Sequence, residues 1–379
     1  MARSNFNHVR VTGVLGVVPE GVIRIDDELE FYGGDEKLLA RNKKILGLGT
    51  RHVVDDRTTN CDLCQAAAER LLDGMGVDRK SVDALIVASF THDFHYPASA
   101  CILQNRLGLD PGCACYDQGG LGCTAYVYAL WQAHALVESG AVRRCLLLAG
   151  DVNSFHSSRR NRNVNMLFGD AATATLVERA DDVRPSWFCL GTDGSGWKSI
   201  VAPAGGYNLP VREDIAGLEV TDADGNPWHL WEEILKGMDV FKFTTVAGPK
   251  CIADVLAAAG RTVADVDYFA IHQANRQIVS SVATYAGLPP GKYSSEAFTD
   301  YGNCASAAVV TDVLRALSEG VSGDFCLATF GVGLSWASAL VDLTRTWNGG
   351  MTVYRRTAPA PSREEKIREW VGFYRGKGG

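Results

Sequence analysis

No apolar run in the 379-residue chain approaches the roughly 18 residues that cross a bilayer. The start, MARSNFNHVRV, lacks the apolar stretch of a secretory signal, so a cytoplasmic location with no membrane partner is expected. Basic residues are not in excess: 37 Lys and Arg stand against 44 Asp and Glu, a net charge of −7, which argues against nucleic-acid binding through a basic face. Charged residues make up only 21% against 46% hydrophobic ones, proportions that exclude disorder and support a large core. An even set of cysteines is missing too. Eleven of them, several inside apolar runs such as CLLLAG, do not make a disulfide framework, and most are expected to be reduced core residues.

What is present is alternation. Short apolar runs of strand length (83–89, 144–151, 172–178, 267–273 and 325–333) lie between longer stretches of helical composition, the pattern of an α/β fold with strands covered on both faces. The order of features then recurs. Strands begin at Asp83 and Asp267, glycine-led turns into a helix lie at Gly122-Cys123 and Gly302-Asn303, and further strands start near Cys145 and Cys326, at offsets of 184, 180 and 181. Two halves of similar topology are expected, 1–180 and 181–344, each carrying part of one site. Residues 203–237, rich in Gly, Pro, Asp and Asn, form a long excursion. From 345 to 379 eight basic and three acidic residues give a net +5, leaving −12 elsewhere. This basic tail is expected to hold a short amphipathic helix, with a capping box at Ser362–Glu365 and Ile367, Trp370, Val371 and Tyr374 on one face.

Within DQGGLGCTAYVYAL, glycines permit a tight turn and the residues after Cys123 are helical in composition. A thiol at a helix N-terminus feels the macrodipole, which favours thiolate and predicts a lowered pKa and a competent nucleophile. Elsewhere in this chain a cysteine is more often a small buried hydrophobe. His272 follows the apolar strand YFAI, where ligand chemistry gathers in α/β proteins, although a lone histidine there is usually a core residue. Asn303, in TDYGNCASA, suits a turn or a helix cap equally well. The repeat raises both: Asn303 takes the second-half place of Cys123, and a pseudo-twofold arrangement would aim all three side chains at one cavity.

The segments DQGGLGCTAYVYAL, MLFGDAATA, HQAN, YGNCASA and FGVGLSW, in this order and spacing, resemble the β-ketoacyl-[acyl carrier protein] synthase III family of thiolase-fold condensing enzymes, over about residues 8 to 343. The resemblance implies a thiolase fold in which the two pseudo-duplicated halves form a five-layered αβαβα sandwich. It also implies Cys123 as the acyl-accepting nucleophile, with His272 and Asn303 holding a malonyl thioester carbonyl. Thiolate attack on a thioester gives an acyl-enzyme, and decarboxylation leaves an enolate that needs two fixed donors. Asn303 stands where a thiolase proper has histidine, which favours decarboxylation. Backbone N–H groups of Cys123 and Val332 are the implied oxyanion hole, Val332 replacing a usual glycine. Phe241, Gly331 and Gly333 are assigned to the acyl pocket, and Tyr96 to the floor of a partner's pocket across a homodimer interface. No cofactor or metal is implied, only acyl and malonyl thioesters of acyl carrier protein or CoA.

Two departures bear on the donor. Residues 38–47, LLARNKKILG, lack the tryptophan that helps to sandwich adenine in members taking acyl-CoA, so a carrier-bound donor is an alternative. Gln277 replaces the basic residue expected after HQAN, while Arg276 precedes it. Carrier docking would then fall to Arg276, Arg159, Arg160, Arg162 or the basic tail. The pairs Cys61/Cys64 and Cys113/Cys115 are too far apart in the chain to favour zinc, and His92 and His95 suit a loop beside the pocket. The leading expectation is decarboxylative condensation in a specialised polyketide, fatty-acid-type or natural-product pathway. The alternatives are acyl transfer to a hydroxyl, an amine or a second β-ketoacyl chain, and a non-catalytic ketosynthase-like partner subunit.

Overall fold

The computed structural model describes residues 2–376 other than 159, 162, 224, 357 and 358. Among these, eleven strands build two main sheets: β1 (Ala2–Phe6), β2 (Val9–Pro19), β3 (Ala84–Ala88), β4 (Ala114–Gln118), β5 (Arg144–Asp151), β6 (Ala171–Arg179), β7 (Ser186–Thr192), β8 (Tyr268–Ile271), β9 (Asp324–Gly331), β10 (Ser335–Asp342) and β11 (Trp347–Tyr354). The first sheet runs β11-β2-β6-β5-β3-β4 and the second β1-β7-β10-β9-β8. Once the edges β1, β4 and β11 are set aside, the two orders match strand for strand. In each, a central strand pairs in parallel on one side and antiparallel on the other: β5 with β3 and β6, β9 with β8 and β10.

The apolar runs of the sequence are these central strands, and β5 and β9 are buried almost throughout. Their faces are covered by helices in layers. α1 (Asn60–Met75) packs on the outer face of the first sheet, with Leu63, Leu71 and Leu72 against Leu85, Leu146 and Leu148. α2 (Ala125–Glu138) and α3 (Ala308–Ser318) lie between the sheets, joined by side chains from both. α4 (Gly237–Ala259) and α5 (Arg276–Tyr285) cover the outer face of the second sheet. The result is the five-layered αβαβα sandwich of the thiolase fold. α2 is apolar nearly all round because it has no solvent face. Its His134 is fully buried, donates a hydrogen bond from Nδ1 to Leu130 O (2.8 Å), and is held neutral by burial, which lowers its pKa to about 4.

Two edges cross between the halves. β1, from the start of the chain, pairs with β7 in the second sheet, and β11, from beyond residue 344, lies parallel to β2 in the first. Residues 347–354 are therefore part of the sheet rather than of a tail. Their alternation is broken by Gly349-Gly350, where the register shifts between Asn348 and Met351, so no strand pattern stands out in the sequence. The capping box at Ser362 and Glu365 opens α6 (Arg363–Tyr374) as expected, but its apolar face is not packed into this chain. Ile367, Trp370, Val371 and Tyr374 are exposed, Trp370 meeting only the edge of Phe94 at 5.9 Å among the aromatic rings outside its own helix. No helix among the described residues is long and apolar enough to cross a membrane.

Candidate active site

The loop after β4 turns at Gly122 (φ +50°) into a 3-10 turn, Gly122–Thr124, that runs directly into α2 and carries Cys123 in its middle. Glycine is required there twice over: by its backbone angle, and because a Cβ would stand 2.8 Å from Val332 Cγ2. Gly331, at the end of β9, approaches as closely. A Cβ on it would lie 3.1 Å from Cys123 Cβ and 3.2 Å from its backbone nitrogen. The second half repeats the device with Ala305 at φ +47° opening the turn Ala305–Ala307 into α3. The residue matching Cys123 is thus Ser306, at an offset of 183. Asn303 lies three residues earlier, which corrects the pairing drawn from the sequence. The reason is that the turn starts at the positive-φ residue, and alanine masks that position in the second copy.

Asn303 is fixed by the first half rather than by its own helix. Its N–H donates to Leu167 O (2.7 Å), its carbonyl accepts from Gly169 N–H (3.1 Å), and its side-chain oxygen accepts from Ala305 N–H (3.0 Å). With that oxygen occupied, the amide nitrogen is the free end of the side chain, and the Asn303 side chain favours the thiolate of Cys123. Asp151, at the end of β5, ties the two turns together. One carboxylate oxygen accepts from Ser89 Oγ and Phe90 N–H, and the other from the N–H and hydroxyl of Ser306. The sequence marked Asp151 only as the end of a strand, since its partner lies 155 residues away.

His272 sits at the end of β8, 2% exposed, its ring edge-on to Phe330 at 5.6 Å. Burial lowers its pKa to about 3, so the imidazole is neutral, and its Nδ1 has no hydrogen-bond partner among the described residues. The remaining residues of HQAN brace it. Gln273 Nε2 donates to Ile271 O and Ser294 O, and Asn275 caps α5 by accepting from Ile278 N–H.

Cys123, His272 and Asn303 line one cavity of about 1060 Å³, together with Val332, Gly331 and Phe241. The thiol does not rest as a thiolate. Burial first, then the charges of Glu233 and Asp151, push it well above the ordinary thiol range, against the Asn303 side chain and its own N–H. Dehydration outweighs the helix dipole on which the sequence expectation rested. Gly333 (φ +135°) does not line the cavity but turns the chain towards β10, whereas Tyr96, assigned to a partner's pocket, is 78% exposed and off this chain's cavity wall.

Two of the candidate docking cations carry ion pairs within the chain. Arg276 lies 3.5 Å from Glu296 and packs on Gly47, and Arg160 pairs with Glu219; Arg159 and Arg162 lie outside the described residues. His92 is turned to Ser99 and Asp117, each at 3.2 Å, and neither it nor His95 lines the cavity. Among the described residues no group of three or more His, Cys, Asp or Glu is arranged to hold a metal.

The excursion at 203–237 holds what the sequence did not single out. Together with residues of the preceding loop it walls the cavity through Asn161, Trp228, Ile234 and Glu233, whose charge acts on the Cys123 thiol. Glu233 N–H donates to His156 O (3.2 Å), and burial followed by the charge of Asp151 raises its carboxyl pKa to about 7. No motif surrounds it, so nothing short of the fold could have brought it forward.

Known proteins share this architecture. Family models described as 3-oxoacyl-[acyl-carrier-protein] synthase III, and as its C-terminal part, match residues 120–194 and 256–343. A putative 3-oxoacyl-[acyl-carrier-protein] synthase 3 of Campylobacter jejuni is 31% identical, the match covering 93% of this chain and 99% of that one. The chain belongs to the 3-oxoacyl-[acyl-carrier-protein] synthase III family. It is an acyl-transferring condensing enzyme. A synthase of this family from Burkholderia xenovorans superposes with a TM-score of 0.85 at 31% identity, covering 93% of this chain and 99% of that one. The priming β-ketosynthase of the R1128 polyketide pathway does so at 0.77 and 26% identity, over 89% and 97%.

Proposed function

We propose that this synthase III loads an acyl group on Cys123 and condenses it with a malonyl thioester, releasing carbon dioxide and a β-ketoacyl product. The observation that carries the reading is the meeting of Cys123, His272 and Asn303 in the lining of one cavity. In the first step Cys123 attacks the acyl thioester, and the N–H groups of Cys123 and Val332 receive the oxyanion. In the second, the neutral His272 ring and the Asn303 amide donate to the enolate oxygen left when the malonyl carboxylate departs, two fixed dipoles in a dehydrated pocket. A cationic histidine is not needed, and burial disfavours one.

The substrates are thioesters of acyl carrier protein or of CoA, with no cofactor. The enzyme works in the cytoplasm as a homodimer in which Tyr96 reaches the partner's pocket, and serves a specialised polyketide, fatty-acid-type or natural-product pathway. The polar lining contributed by Asn161 and Glu233 supports a primer other than a plain alkyl chain. Incubation with acyl and malonyl thioesters, on CoA and on carrier protein, tests this. Carbon dioxide release with a product two carbons longer is expected. Absence of release with every donor overturns condensation, and a product without the extension assigns acyl transfer to a hydroxyl or amine instead.

A further inference from the structure

Loading Cys123 requires a place for its proton, and the three residues above do not provide one. The thiol rests protonated, and the His272 ring is too weakly basic to take a proton near neutrality. Asp151 is close, but its carboxylate is saturated by Ser89, Phe90, Thr91 and Ser306 and does not line the cavity.

Glu233 differs on each count. It is on the cavity wall, and its charge is second only to burial in raising the Cys123 thiol, ahead of Asp151. No hydrogen bond to its carboxylate occurs among the described residues. Its neighbour Glu232 shows the contrast, being turned away to accept from His229 N–H at 2.7 Å. The backbone bond from Glu233 to His156 O and the pairing of 234–235 with 200–201 hold the residue at the cavity. A half-buried carboxyl on the wall of a cavity that also holds a nucleophile is a candidate for proton transfer.

We propose that Glu233 takes the Cys123 proton as the thiol attacks the acyl thioester and returns it to the departing pantetheine thiolate. The bond from Sγ to the acyl carbon forms, the bond from that carbon to the pantetheine sulfur breaks, and the proton moves from Sγ to the carboxylate and then to the leaving sulfur, so that no further reactant is required. This step rests on the proposed loading of Cys123. A proton carrier works best when its pKa lies near the working pH, and the value of about 7 at Glu233 meets that condition. Among the other groups lining the cavity, His156 is pushed down by burial, Lys236 and Asp239 are exposed to water, and Asp222 is half-buried in the same segment as Glu233.

The test uses the full chain, its Glu233→Gln and Glu233→Asp variants, and S-acetyl-N-acetylcysteamine, a truncated thioester that calls on neither CoA nor carrier recognition. Intact-mass measurement of the acetyl adduct on Cys123 should show loading about 100-fold slower in E233Q, with partial recovery in E233D. Wild-type loading should rise with pH through about 7, and E233Q should lose that limb. Iodoacetamide alkylation of Cys123 must move the other way or stay unchanged, because removing a negative charge eases thiolate formation. Equal loading rates in wild type and E233Q, or a parallel fall in alkylation, would overturn the proposal. No adduct on wild-type Cys123 would overturn the loading reading beneath it.

Discussion

The two glycine-type turns, Gly122–Thr124 and Ala305–Ala307, are copies in backbone and opposites in task. Each starts at a positive φ, winds once as a 3-10 turn and feeds a central helix. The first copy presents a thiol to the cavity. The second turns its matching Ser306 inward to Asp151, and the asparagine three residues ahead faces the cavity instead. One backbone design thus yields a nucleophile in one half and a scaffold bond in the other. The pseudo-symmetry specifies where side chains converge, not which chemistry each copy contributes.

Separating the two tasks gives the largest expected effects. Cys123→Ala should remove the acyl adduct and lower condensation by roughly 10⁴-fold or more, while carbon dioxide release from a malonyl thioester persists because His272 and Asn303 are untouched. Loss of both activities would break the division. Asn303→Ala should do the reverse. Decarboxylation should fall about 10² to 10³-fold, the loss typical of one oxyanion donor, with the Cys123 adduct still visible by mass.

The scaffold role of the second turn is smaller in energy. Ser306→Ala removes one of the hydroxyl donors to the buried Asp151 and should lower unfolding stability by about 2 kcal/mol, read by urea denaturation. His272 adds a pH signature. Its native pKa of about 3 lies below the ordinary 6.5, so the unfolded chain binds a proton that the folded one refuses. Its contribution is present above pH 6.5 and is lost as pH falls towards 3. The stability difference between wild type and His272→Gln should therefore shrink on acidification through that window.

The mildest test addresses the shared backbone. Ala305→Gly relieves the left-handed conformation of a side-chain-bearing residue and should stabilise by about 0.5 kcal/mol, after the added freedom of the unfolded chain is counted. Gly122→Ala, at the matching position, should destabilise, since its Cβ meets Val332. Equal signs in thermal melts of the two variants would show that the turns are not equivalent.

Much of this was legible in the chain. The strand at 144–151 lies where the apolar run ends, and Cys123, His272 and Asn303 lie on one cavity wall. What was hidden shares a cause. β11 is interrupted by two glycines, Asp151 acts on a residue 155 positions away, and Glu233 sits in a segment whose composition says only loop. The ion pairs of Arg276 with Glu296 and of Arg160 with Glu219 were likewise out of reach, since the partners lie 20 and 59 residues away.

Local pattern determined the α/β class, because periodicity and residue chemistry act over a few neighbouring positions, while the recurring order of features indicated the duplication and the family resemblance named the reactive side chains. Only the tertiary structure decided their protonation and their company. Burial, not the helix end, sets the Cys123 thiol, and Glu233 joins it through a long excursion folded over the cavity. Charge and desolvation depend on every atom within several ångströms, whichever part of the chain supplies it.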